Sequence, residues 1–227
     1  MHHLTFDCAS VSGTERRSLP VRDLVIGGWT GRDPRKVEEH IEELAALGIP
    51  GPTTLPCFYR TGAALPTTAA TIDVLGADSS GEVEWVLLLR EDGWWVGIGS
   101  DHTDRKVEAY SVTVSKQMCP KPVAPVLWRY EEVAPHWDRL ELLAEVEEDS
   151  VFIPYQQGTA AAMLHPEALV EAYQATGQRF APDTLLFGGT LPVIGGIRPR
   201  AGFRVSLHDP VLQRTIRHGY TARWLPE

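Results

Sequence analysis

Cysteine is scarce in this 227-residue chain: there are three, Cys8, Cys57 and Cys119, and no two form a CxxC pair. That excludes a disulfide framework and a cysteine zinc site, and it points to a reducing, cytoplasmic setting. Cys57 and Cys119 lack a histidine motif beside them and read as structural thiols. No apolar run approaches the ~20 residues of a membrane-spanning helix. The opening MHHLTFDCAS has neither the basic start nor the apolar stretch of a signal peptide, and His2 and His3 read as a frayed terminus. A basic cluster is missing as well. With 21 basic and 30 acidic residues the formal charge is −9, which argues against nucleic acid and anionic membranes as partners. No GxSxG elbow, P-loop or GxGxxG appears, so the double glycines at 188–189 and 195–196 read as tight turns.

What is present is a globular composition, 43% apolar and 22% charged, with 17 prolines and 20 glycines spread through many turns. One helix is predicted over 34–47, capped by Asp33, opened by Pro34 and ended by Gly48 and Pro50. A second is predicted from Pro166 to Ala175, before Gly177. LVIGGW (24–29), VEWVLLL (83–89), WWVGI (94–98) and VEAYSVTV (107–114) carry the β-branched and aromatic residues of strands. Phe203, Val205 and Leu207 alternate with polar residues, and the segment to Trp224 can return as their partner. The expectation is a β-rich α+β fold, a rolled mixed sheet with a few peripheral helices, in one domain over 1–227. Residues 1–60 are expected as a loosely attached N-terminal layer, and 61–227 as the β core.

Glu82 and Glu84 stand two apart at the start of an apolar strand, so both carboxylates point to one face, which continues as Val86 and Leu88. Burying two unpaired carboxylates there costs several kcal/mol. The strand end could be solvated, a Lys or Arg could pair with them, or a divalent cation could sit between them. REDG (90–93) turns the chain back, and Asp101 follows the return strand. Glu82, Glu84 and Asp101 can therefore converge at one end of a sheet. Three oxygen ligands suit Mg²⁺ or Mn²⁺, with Ca²⁺ as a stand-in in a crystal, and both metals leave positions open for substrate oxygens. His102 is turned away by strand alternation, and Asp104 reads as a loop cap.

EVEWVLLL, SDHTDRKVE, SKQMCPKPVAPVLWRYEEV and FGGTLPVIGGIRPRAGFRVSLHDP, in this order, resemble the core of the fumarylacetoacetate hydrolase superfamily over about residues 22–225. The resemblance implies that fold, with Glu82, Glu84 and Asp101 as metal ligands. It matches Lys116 to a lysine that binds a substrate or enolate oxygen, and Thr190 to a threonine near a bound carboxylate. Arg105-Lys106 and Glu108 depart from the family's Arg-Asp and Gln. Family hydrolases activate water with an H-x-x-E pair, and His40 and Glu43 have that spacing, neighbours on one side of the 34–47 helix. A core histidine beside a solvated glutamate is the plainer reading of the same pair. Lys116 alone would read as a snorkelling lysine. Tyr59 and Arg60 precede the acidic strand, and Arg60 could grip a substrate carboxylate or a loop acid.

The expected activity is a metal-dependent hydrolase that cleaves a C–C or related bond in a small anionic oxo acid or dicarbonyl compound. A decarboxylase or keto–enol tautomerase at the same site, or a catalytically silent binding protein, are the alternatives. Family members are commonly homodimers, which sets that expectation here.

Overall fold

The computed structural model describes residues 2–35, 37, 38, 41, 42, 51, 52 and 54–226. Its first four strands are β1 (His2–Ser10), β2 (Gly13–Val21), β3 (Asp23–Gly28) and β4 (Cys57–Thr61). Two short strands, β5 (Pro66–Thr67) and β7 (Ser79–Ser80), flank β6 (Thr71–Leu75). The hairpin β8 (Val83–Arg90) and β9 (Gly93–Ser100) turns at Glu91-Asp92, as the REDG sequence predicts. Next come β10 (Thr103–Asp104), helices α1 (Arg105–Glu108) and α2 (Val112–Met118), β11 (Lys121–Pro122) and β12 (Val126–Arg129). A third short helix, α3 (Tyr130–Val133), precedes the hairpin β13 (Glu141–Glu148) and β14 (Val151–Thr159). Helix α4 (Pro166–Ala175) leads to β15 (Thr184–Thr190), β16 (Gly202–Asp209) and β17 (Arg214–Leu225).

Eight strands form one curled sheet in the order β2-β1-β12-β9-β8-β15-β3-β4, and five form a second in the order β14-β13-β16-β17-β6. The chain is thus β-rich α+β. Strand β8 is apolar on both faces because both are covered. Val83, Trp85 and Leu87 pack into a core shared with Leu142, Val146, Phe203 and Val205 of the second sheet. Val86 and Leu88 face the other way, among Phe6, Leu127, Leu185 and Phe187. Glu84 shares the face of Val86 and Leu88 by strand alternation. Trp85 takes its place only because Gly188 has no side chain: a Cβ there would lie 2.0 Å from the Trp85 ring.

Three expectations are corrected. VEAYSVTV is not a strand but the end of α1 and the start of α2. Its β-branched residues are overridden by two caps: Asp104 accepts from Val107 N at 2.8 Å, and Ser111 accepts from Val114 N at 3.4 Å. His2 and His3 are not frayed. They pair with Val21 and Pro20 in the β1–β2 hairpin, and His2 Nε2 bonds the Pro66 carbonyl at 2.8 Å. Residues 2–28 are not a layer over the sheet but strands within it, since β1 runs parallel to β12 and β3 parallel to β15. Of the 34–47 helix, residues 34, 35, 37, 38, 41 and 42 are described and helical, and Arg35 N donates to the Asp33 side chain at 3.1 Å. His40 and Glu43 lie outside the described residues.

Candidate metal centre

The hairpin brings the acidic residues together by register alone. Glu84 pairs with Gly99 and Val83 with Ser100, so Asp101 falls opposite Glu82, and Asp101 N donates to the Glu82 carbonyl at 2.9 Å. Glu82, Glu84 and Asp101 each offer a carboxylate oxygen, and the three oxygens lie within 4.8 Å of one another. They sit on one rim of the curled sheet, where β3 and β15 end and β4 and β8 begin. Thr190 is the β15 residue paired with Glu84. Its hydroxyl donates to the Val83 carbonyl and accepts from Gln156 Nε2, both at 2.8 Å.

Helices α1 and α2 deliver cations to this rim. Lys116, almost fully buried, places Nζ 2.6 Å from Asp101 Oδ2, 3.0 Å from Glu82 Oε2 and 3.6 Å from Glu108 Oε1. Arg105 Nη1 donates to Glu82 Oε1 at 3.2 Å and Glu108 Oε2 at 2.7 Å, and its Nε donates to Ser80 Oγ at 2.7 Å. Of the two residues that depart from the family pattern, Glu108 is therefore a salt-bridge partner in the site, whereas Lys106 Nζ lies 3.9 Å from Asp78 Oδ2. Lys121 is wholly buried, and its Nζ lies 2.8 Å from Asp101 Oδ1.

These contacts divide the three acids. Burial opposes the charge of Glu82, but Lys116 and Arg105 outweigh it and hold the carboxyl below the usual range. Asp101 is treated likewise by Lys116 and Lys121 and is also held below the usual range. Glu84 is the exception. Burial first, then the charges of Asp101 and Glu82, push it well above the usual carboxylate range. Among the described residues no cation touches it, and the Gly189 N–H donates to it, 2.7 Å from Oε2. Gly189 holds a φ of +92°, which a side chain would strain, so the donor is aimed by a glycine. Asp101 Oδ2, although close to Lys116, has no aligned hydrogen bond. A buried acid without a cation, beside a second acid with an unfilled lone pair, suits a hard divalent ion, so the residues present fit Mg²⁺ or Mn²⁺.

The remaining candidates separate. Tyr59 pairs with Ile26 and Arg60 with Val25, so the two side chains take opposite faces of β4. Arg60 is carried away from the acids. Its Nη2 donates to Asp23 Oδ1 at 2.9 Å and its Nη1 to Gln178 Oε1 at 3.1 Å, which is the loop-acid alternative. Tyr59 accepts from Cys57 Sγ at 3.3 Å, and burial, then Cys57, pushes its phenol up. His102 is buried beneath the rim between Tyr220 Oη at 3.0 Å and Ser79 Oγ at 2.9 Å. Burial and the nearby Lys121 and Arg105 charges push its pKa down to about 3, so it is neutral. Asp104 caps α1. Sequence reasoning missed Lys121, whose one local signal is a lysine set between Pro120 and Pro122.

Comparison with known proteins agrees with this architecture. The family model described as "Protein of unknown function (DUF2848)" matches residues 27–220. A search of curated proteins finds no match. Among solved structures, a proposed fumarylpyruvate hydrolase of Burkholderia cenocepacia superposes with a TM-score of 0.66 at 20% identity, covering 100% of this chain and 97% of its own. A fumarylacetoacetate hydrolase family protein of yeast gives 0.60 at 16% identity, covering 91% and 95%. A 2-keto-3-deoxyarabinonate dehydratase gives 0.63 at 14% identity, covering 93% and 78%. At such identities the likeness is one of fold.

Proposed function

The chain belongs to the family described as a protein of unknown function (DUF2848), and on that premise we propose that it is a divalent-metal-dependent hydrolase. Its substrate class is a small anionic oxo acid or dicarbonyl compound, in which it cleaves a C–C or related bond. The observation that carries this reading is the trio of Glu82, Glu84 and Asp101, the last two buried, with ligand oxygens within 4.8 Å and Lys116 against two of them. Mg²⁺ or Mn²⁺ held there supplies Lewis acidity toward a substrate carbonyl. Lys116 then stands where it can donate to an oxygen that gains charge as the bond breaks. Its pKa supports that role: burial disfavours its charge, but Asp101, Glu82 and Glu108 outweigh this and raise it well above the ordinary lysine value. His40, oriented by Glu43, takes the proton of the attacking water in this proposal. Thr190 lies on β15, next to Glu84 of β8, and Tyr59 on β4, two strands further along the same sheet.

Calorimetric titration of the metal-stripped chain with Mn²⁺, beside Glu84→Gln, tests the centre. One-site binding in the wild type that the variant loses supports the reading; a wild type that takes up no Mn²⁺ sinks it.

A second reading keeps the site and changes the reaction. The structural neighbours carry both hydrolase and dehydratase names, so the fold serves more than one class of reaction. Decarboxylation or keto–enol tautomerisation needs the same stabilisation without an attacking water. Product analysis separates the readings: CO₂, or a tautomer formed with no uptake of water, rules out the hydrolase.

A further inference from the structure

Among the described residues Lys121 is the largest charged side chain that is completely buried, with a relative exposure of 0%. Its position is set by backbone rather than by its own flexibility. Prolines 120 and 122 flank it, its N–H donates to the Leu65 carbonyl at 2.8 Å, and Val123 N donates to Thr67 O at 2.8 Å. The ammonium donates to the His102 carbonyl at 2.6 Å and lies 2.8 Å from Asp101 Oδ1 as an ion pair, without an aligned hydrogen bond. Thr103 Oγ1 also reaches Oδ1, at 3.4 Å, while it donates to the Asp101 carbonyl at 2.9 Å. One oxygen of Asp101 is thereby taken from beneath. The other, Oδ2, lies 2.6 Å from Lys116 Nζ without an aligned hydrogen bond.

Packing does not require a lysine at this place, because an apolar side chain of similar length fills a core without the cost of burying a charge. Neutralising Asp101 does not require it either, since Lys116 already lies against that carboxylate. What Lys121 adds is a choice between two equivalent oxygens. We propose that Lys121 is a positioning residue: by holding Oδ1 and the His102 carbonyl it fixes the Asp101 carboxylate so that Oδ2 faces Glu82 and Glu84 as a one-oxygen metal ligand. This rests on the reading of the acidic trio as a metal centre. Partners that orient a ligand in this way typically change metal affinity by 10- to 100-fold.

The test separates orientation from charge, because the two have opposite signs. Removing a cation beside the site should by Coulomb's law strengthen the binding of a dication, whereas releasing the Asp101 carboxylate should weaken it. Mn²⁺ is titrated calorimetrically into the intact wild type, Lys121→Met and Lys116→Met, with folding checked by circular dichroism. Lys121→Met is expected to lose affinity by about tenfold or more, while Lys116→Met keeps or gains it. Equal or tighter binding by Lys121→Met overturns the proposal, and so does an equal loss in Lys116→Met. A wild type that binds no Mn²⁺ overturns the metal centre itself, and this inference with it. If Lys121→Met does not fold, Lys121→Gln, which keeps a shorter donor without the charge, carries the comparison. A loss of about threefold or more is then expected, and none overturns the proposal.

Discussion

Glu84 is the residue on which the functional reading turns. Glu82 and Asp101 are charge-balanced by Lys116, Arg105 and Lys121, as acids in an ordinary salt-bridge cluster are. Glu84 is held by one backbone N–H and pressed by two like charges, and burial raises its pKa well above the usual range. A raised carboxyl keeps its proton where ordinary carboxylates have lost theirs, and a metal ion can bind only after displacing it. Mn²⁺ uptake is therefore expected to release a proton at pH values where ordinary carboxylates have none to give, with the release fading as pH rises past the Glu84 transition. Titrations in two buffers of different ionisation enthalpy measure the release directly. Identical apparent enthalpies in both would mean that Glu84 is already ionised or takes no part.

At the scale of elements, the site depends on two helices of four and seven residues. Neither has the length to declare itself by periodicity, and VEAYSVTV alternates as a strand would. Their existence rests on side chains that satisfy their first N–H groups, chiefly Asp104, which is itself buried. Asp104→Ala removes the acceptor of Val107 N and should destabilise the chain by about 1 kcal/mol. The measurement is the urea midpoint of the variant against wild type. Because α1 carries Arg105 and Glu108, an unchanged midpoint would mean that their ion pairs, rather than the cap, hold the helix in place.

For the molecule as a whole, the buried neutral histidines set a direction for acid sensitivity. His102 has a folded pKa near 3, lowered first by burial, and burial lowers His218 as well. The unfolded chain binds protons on these rings below the ordinary histidine value of about 6.5, while the folded chain does not. Their contribution to stability is thus complete above that value. It is lost as pH falls, for His102 toward 3, at up to about 1.4 kcal/mol per pH unit for that ring. Urea unfolding of the wild type beside His102→Asn at pH 7, 6 and 5 isolates the ring from Glu84, whose raised pKa acts in the opposite direction. The wild type should lose stability relative to the variant as pH falls, and a flat difference would contradict the burial of a charge-free His102. The Tyr220–His102–Ser79 chain that needs the neutral ring joins the second sheet to the rim of the first.

What the sequence determined by itself is local. The REDG turn sets the register of β8 on β9, and that register alone places Asp101 opposite Glu82, so the acidic trio was legible from spacing. Pro166 and Gly177 bound α4 for the same reason, and the alternation of Phe203, Val205 and Leu207 marked β16. The tertiary structure decided what surrounds the trio. Lys121 reaches Asp101 only because β11 pairs with β5 across 55 residues of chain, and β1 joins the sheet beside β12 across more than a hundred. Arg60 was lost to Asp23 because strand alternation, not proximity in sequence, chose its face. Pairings between distant segments leave no periodic trace in either one, since each is specified by surfaces that exist only once both have folded.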